Sequence, residues 1–459
     1  MGAVLVLGLV ADQWWRTATF GLAATATFIA FAIVLVTTGG MRRLEPVALI
    51  SAAVAFALWF TLRASPWLVW PDLFAALALV GLASTFAARG SVYDLGVTEL
   101  AARAVHACLH LASGPAFVAR PVIAARGRVT GVAPVLRGVL IAAPIAALLA
   151  GLLASADPVF ASFLNLDLDL GTVALDVLFV ALASWVASGL LQLAASEPVD
   201  RVDGPAWRLG ATEALVVLAV LDAVFAAFAV AQVLAASGAA AATLRQAGVT
   251  YADYARNGFF QLLWVSGITL CVLVLISRAS NLSDRAARRA FTVLACTAIA
   301  LTLMIDVVAF RRLSLYEEAY GFTMLRLYSH VFAVWLGLVF LLLGADLLAA
   351  VRTGRWFAGA TLTTALAVLL ALNVASPEAI VVTLNTNHAL TAHKIDSQYL
   401  AELSSDATPA LLATRGELDP ALREQVTEAA CAGPKSYSPA AAAFNLAEAQ
   451  AADSRRRGC

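Results

Sequence analysis

The apolar residues of this chain fall in runs of 19 to 28 positions with few or no charges and, in most cases, no polar face. A helix at the surface of a soluble domain keeps one side for water. A run with no such side needs another solvent, and about 20 apolar residues cross the ~30 Å hydrocarbon core of a bilayer. Inside lipid every backbone N–H and C=O must find an internal partner, so each run reads as a helix; a membrane barrel would instead show alternating segments of about ten residues. Composition agrees. The chain has 459 residues, 61% of them hydrophobic and 13% charged, with a mean hydropathy of +0.86, where a soluble domain carries about 25% charge. The fold class expected is all-α: a polytopic helical membrane bundle with a small helical C-terminal appendage.

Ten spans are expected, near 17–38, 44–62, 67–88, 138–156, 171–193, 210–237, 257–277, 290–310, 329–350 and 357–375. Residues 2–11 are apolar but too short to cross, and read as the end of a first helix or a re-entrant piece. Residues 1–375 then form the membrane domain and residues 376–459 an extramembrane tail. Orientation follows the excess of basic residues on the cytoplasmic side. One set of alternate loops holds sixteen arginines and the other holds seven. The arginine-rich set is assigned to the cytoplasm of a cell (inner or plasma) membrane. The connector 311–328 and the tail then face outward.

The tail differs in kind, being rich in Pro, Ser, Asp and Glu. Ser376 before Pro377, Thr408 before Pro409 and Asp419 before Pro420 are helix-start signals. Short helices are expected there, fraying after about residue 450. Cys431 and Cys459 either pair, as an oxidising compartment permits, or stay as two free thiols. Cys108, Cys271 and Cys296 sit in apolar surroundings and read as small hydrophobes.

Several chemistries leave no trace. There is no phosphate loop, no dinucleotide fingerprint and no C-x-x-C or H-E-x-x-H. His106 and His110 stand one helical turn apart, but no third ligand completes a metal set, and the amphipathic stretch around them, near 97–119, reads as an interfacial helix with Glu99 and Arg103 paired. No metal and no cofactor are expected. The net charge is zero, which gives no reason to expect nucleic acid. The bilayer is the expected partner, together with an extracytoplasmic protein or a lipid-linked ligand.

The polar residues concentrate at the outward connectors. Thr250 with Asp253, and Ser314 with Glu317, have capping-box spacing. A short outer helix is therefore expected to start at Ser314 and end at Gly321, with Glu317 as a cap and Arg312, Tyr316 and Tyr320 on one face. Asp222 lies near the middle of its span, where a lone charge costs about 2.5–3.5 kcal/mol on insertion scales and asks for a partner or a wet cavity. A candidate outer-face binding cluster comprises Asp176, Asp222, Arg256, Asp306, Arg312, Tyr316, Glu318, Tyr320, Arg326 and His330. Set against it is the plain role of arginine and tyrosine as interfacial anchors. Asp346, near Arg352 and Arg355, reads as pairing or snorkelling at the inner side.

Four stretches also carry a resemblance. "ADPVF" (156–160), "TYADYARNGFFQLLW" (250–264), "RRLSLYEEAYGFTMLRLY" (311–328) and "IDSQYLAELSSDATPALL" (395–412) resemble, in this order, an uncharacterised family of bacterial polytopic membrane proteins, domain of unknown function 4173. The resemblance spans roughly residues 130–412 and implies an all-helical membrane protein without implying an activity. "TLNTNHALTAHKI" departs from it, with less arginine than the pattern leads one to expect. Three function classes follow. The first is a sensor, scaffold or assembly factor acting at the outer face. The second is a transporter or flippase for an anionic solute or lipid, using Asp222 and the arginines. The third is a membrane-embedded transferase on a lipid-linked substrate, with His330 or Asp306 as base; an enzyme is the least favoured.

Overall fold

The computed structural model describes residues 2–17, 19–39, 41–87, 90–124, 170–196, 208–236, 251–348 and 355–459, with four single positions between 142 and 153. The side chains of residues 251–257 are outside the described set. Sixteen α-helices and no strand occur among the described residues, so the all-α bundle stands. Eight helices among the described residues are long and apolar enough to cross a membrane, and the chain is an integral, multi-pass membrane protein.

The contacts fall into two compact units. The first unit contains helices α1 (Gly2–Thr17), α2 (Leu22–Thr38), α3 (Leu44–Leu62) and α4 (Pro66–Thr85), most of α5 (Val97–Ala124), α6 (Leu170–Ala195) and residues 437–449. Helix α1 lies against α2 and α6, where Val4, Leu7 and Ala187 form a small core with Phe31 and Val34. The expected span 17–38 is shorter than read: the helix begins only at Leu22. The reason is local. At Gly21 the backbone is extended, the Phe444 carbonyl would stand 2.9 Å from any added Cβ, and Leu22 N–H donates to that carbonyl at 3.0 Å. Residues 2–11, whose role the sequence left open, lie within the α1 helix. Apart from those four single positions the expected span 138–156 lies outside the described residues, as does "ADPVF".

The second unit holds α7 (Ala211–Ala236), α8 (Tyr251–Ala279), α9 (Arg285–Tyr320), α10 (Met324–Leu347), α11 (Phe357–Ala375) and most of the tail. Helix α9 is its axis and packs against α7, α8 and α10. Two apolar cores hold it. One joins Leu218, Leu273, Phe291, Leu336, Val339 and Phe340; the other joins Phe225, Phe259, Leu262, Ile305, Ala309 and Leu313. With 36 residues, α9 is about 54 Å long at 1.5 Å per residue, well beyond a ~30 Å hydrocarbon core. Its first turn is capped by Asp284, whose carboxylate accepts from Ala287 N–H at 2.9 Å. It ends at Gly321, whose φ of +77° suits glycine.

The tail folds into α12 (Pro377–Ala392), α13 (Ser397–Ala401), α14 (Thr408–Thr414), α15 (Pro420–Cys431) and α16 (Leu446–Gly458). Val382, Ala389, Leu400, Leu411 and Val426 make its core. Two expectations change. Ser376 precedes Pro377 as read, but takes a left-handed conformation at φ 55° and makes no side-chain cap bond. The chain does not fray after 450. Arg455 is buried and donates to the Ala430 carbonyl at 2.8 Å and the Thr408 hydroxyl at 2.9 Å, while Cys459 forms a disulfide with Cys431.

Candidate functional site

The connector around 311–328 does not contain the expected short helix. The run Arg311–Tyr320 has neither Gly nor Pro, so α9 continues through it and the backbone N–H groups near Ser314 stay in the helical ladder. Nothing there needs a cap. Ser314 Oγ donates instead to the Phe310 carbonyl one turn back, at 3.1 Å. Glu317, read from sequence as a cap, is buried and turned to α10, where His330 Nδ1 lies 3.3 Å from its Oε1. The other ring nitrogen of His330, Nε2, is 3.3 Å from Ser314 Oγ, and Phe310 meets the imidazole edge-on with ring centres 4.2 Å apart. A hydroxyl, an imidazole and a carboxylate thus stand in line.

That order matches a nucleophile, its base and the group that orients the base. Chemically the match is incomplete. Ser314 lies inside the C-terminal part of α9, where the neighbouring amides are spent on the ladder, so the local backbone offers no donors for an oxyanion. The arrangement is better suited to locking α9 against α10.

Beside this line lies an arginine–aromatic group. The Arg326 guanidinium carbon is 4.3 Å from the centre of the Tyr316 ring, and Tyr316 stacks on Tyr320 at 4.8 Å. Arg326 Nη1 donates to the carbonyls of Tyr320 and Gly321, the free C-terminal carbonyls of α9. Tyr316, Arg326, Leu313, Leu325, Phe259 and Phe260 line a recess of about 230 Å³ where α8, α9 and α10 meet.

The three-residue connector after α9 is held from the tail. Asn385 on α12 accepts from Phe322 N–H at 2.9 Å and donates to the Phe322 carbonyl at 2.8 Å. Tyr399 Oη accepts from Met324 N–H at 2.7 Å. Burial raises the Tyr399 phenol above its ordinary range, opposed by this hydrogen bond, so it is a neutral hydroxyl throughout the working pH range. Asn385 lies in the segment where the sequence departs from the family resemblance, and Tyr399 lies in the "IDSQYL" stretch that carries it.

The remaining candidates scatter. Arg312 donates to Gln232 at 3.4 Å, with its guanidinium against Gly258. Asp306 accepts from Ser266 Oγ at 2.5 Å, and its second oxygen has no hydrogen-bond partner among the described residues. Asp222 is buried on the stripe that also carries Leu218 and Phe225, and neither of its oxygens has a hydrogen-bond partner among the described residues. Glu318 is exposed, one position from the carboxylate that is used. Asp176 belongs to the first unit, where Arg16 bridges it and Asp12, each at 2.6 Å. The Arg256 side chain, and the Thr250–Asp253 capping box, lie outside the described residues. Asp346 pairs with Arg278 at 2.8 Å, and Arg355 lies 3.8 Å from Glu99. His106 and His110 stack with ring centres 4.1 Å apart, and His106 Nε2 meets Ser196 at 3.2 Å.

The Ser314–His330 meeting was recoverable from the sequence. A tight helical hairpin with connector 321–323 brings together positions equally far from the turn, and Ser314 and His330 are each seven residues from it. The meeting depends on α9 running past Ser314 to Tyr320.

A family described as Domain of unknown function (DUF4153) matches residues 48–414, more than three quarters of the chain. An uncharacterised domain family is what the motifs led one to expect; the number matched is 4153, where the resemblance pointed to 4173. No curated protein and no solved structure matches.

Proposed function

For a chain that belongs to the family of domain of unknown function 4153, we propose a role as a sensor, scaffold or assembly factor of a cell membrane, acting at the extracytoplasmic end of α9 and α10. The observation that carries this reading is the clamp on the α9–α10 connector: Asn385 and Tyr399 tie the tail directly to the turn between two membrane helices. A ligand or protein that moved the tail would act on the ends of both helices at once. The Cys431–Cys459 disulfide supports an outward tail, since such bonds persist in oxidising compartments. The arginine count in the loops supports the same orientation independently.

Ala319 is exposed on the last turn of α9. In a chain with Cys108, Cys271 and Cys296 replaced by serine, Ala319→Cys is expected to react with a membrane-impermeant maleimide in intact cells. Labelling only after lysis would reverse the orientation and remove the extracytoplasmic role.

Transport is the second reading, favoured by one observation: Asp222 is buried, with neither oxygen hydrogen-bonded among the described residues. A carboxyl group kept there at a cost of about 2.5–3.5 kcal/mol on insertion scales suits a proton-linked step. Asp222→Leu would then abolish the cellular phenotype of the gene while the protein still inserts. Full function in that variant ends the transport reading.

A further inference from the structure

We infer that the recess between α8, α9 and α10 is a binding site for the phosphate group of a lipid. Three independent features meet there. The first is charge with spare donors. A guanidinium carries five N–H donors, and Arg326 spends only Nη1 on the Tyr320 and Gly321 carbonyls; Nε and Nη2 have no protein acceptor among the described residues. The guanidinium carbon stands over the Tyr316 ring, 4.3 Å from its centre. A fork held in this way matches a phosphate better than a mobile ammonium would.

Position is the second feature. Phe259 and Phe260 begin the apolar part of α8, and Leu325 and Arg326 lie in the first turn of α10. The recess therefore lies at one end of two spans, at the depth where phospholipid phosphates sit. Arg326 also lies where it works against its own helix: a cation in the first turn of α10 opposes the helix dipole. Completing the α9 C-terminus explains Nη1 and leaves the other three donors without a structural task among the described residues.

The walls are the third. Phe260 is 50% exposed and Leu325 is 53% exposed, both beside the recess. A free anion has no use for such walls, whereas the first carbons of an acyl chain do. The volume of about 230 Å³ holds a headgroup phosphate and its glycerol, with the chains running outward along Phe260 and Leu325.

The inference rests on this end of α9 and α10 being the working end, but the two fail separately: labelling at Ala319 tests the side of the membrane, and lipid titration tests the recess. The detergent-purified full chain is titrated with dioctanoyl phosphatidic acid and, separately, with inorganic phosphate, and the bound fraction is read by native mass spectrometry. Saturable binding of the lipid is expected, with no binding of inorganic phosphate at the same concentration. Arg326→Gln is expected to weaken lipid binding by about tenfold or more, while Arg456→Gln, on the exposed face of α16, leaves it unchanged. Equal binding of inorganic phosphate would make this a free-anion site and overturn the proposal, as would unchanged lipid affinity in Arg326→Gln. Should that variant fail to fold, Phe260→Ser keeps Arg326 and its carbonyl bonds: weaker lipid binding supports the site, and unchanged affinity overturns it.

Discussion

Glu317 and His330 face each other across the α9–α10 hairpin, with Oε1 and Nδ1 3.3 Å apart and side-chain exposures of only 5% and 15%. The alignment does not make a hydrogen bond to Oε1 among the described residues, and the two groups meet as a close polar contact. A buried polar group that loses its partner costs about 1–3 kcal/mol. His330→Leu is therefore expected to lower stability by that order, and adding Glu317→Gln to recover most of it. Thermal unfolding of the two single variants and the double variant in detergent measures the coupling. Simple additivity would show that the two side chains do not act as a pair.

The clamp on the connector gives a second expectation. Asn385→Ala removes both bonds to Phe322, and Tyr399→Phe leaves the Met324 N–H without its acceptor. An unpaired buried backbone group costs about 1–3 kcal/mol. Because the affected groups hold the tail to the helix ends, the loss should appear locally. Hydrogen exchange at Phe322 and Met324 is expected to rise in both variants, with exchange in the middle of α10 unchanged. Uniform acceleration along α10 would mean that the clamp supports the whole helix rather than the joint.

How much of this was legible follows from which physics decides each feature. Long apolar helices were legible because the bilayer imposes length and polarity on each helix separately: the helices Leu44–Leu62 and Phe357–Ala375 coincide with two of the apolar runs. The start of α2 was not, because it depends on the Phe444 carbonyl reaching Gly21 from more than four hundred positions away. Candidate site residues were found by type, and type is a weak guide to direction. Arg326 and Tyr316 were named and do meet. Capping spacing points to Glu317 as a cap and to Glu318 as the free carboxylate, whereas helix continuation reverses the two. Asn385 was passed over since an asparagine in a tail carries no local sign that it will bridge a turn 63 residues earlier.

A pH dependence follows from His106. Burial lowers its imidazole below the ordinary histidine value of 6.5, with repulsion from His110 and Arg103 adding to the effect. The folded chain then takes up its proton at a lower pH than the unfolded chain. As pH falls through about 6.5 the unfolded state binds the extra proton first, so stability falls with it until the folded pKa is passed. His106→Gln removes the titrating group. Between about pH 7.5 and about pH 5.5 the melting temperature of the natural chain should fall by more than that of the variant. Parallel curves would mean that His106 titrates alike in both states.

The Cys431–Cys459 bond closes a loop with a sequence separation of 28. Restricting the unfolded chain over such a loop is worth roughly 3 kcal/mol on the chain-entropy account. Helix α16 has a second attachment, since Arg455 reaches Ala430 and Thr408 from one turn before the cysteine. The two attachments act on different states: the disulfide limits the unfolded chain, and the arginine bonds hold the folded one. Cys431→Ala with Cys459→Ala should therefore destabilise the tail by about 3 kcal/mol and still leave α16 docked. Adding Arg455→Met should release it, seen as rapid protease cleavage within 446–458. If the double cysteine variant alone is cut there as fast as the triple variant, the disulfide is what docks α16 and the arginine bonds contribute little. The pairing itself is checked in native membranes: neither cysteine should take up maleimide until a reductant is added.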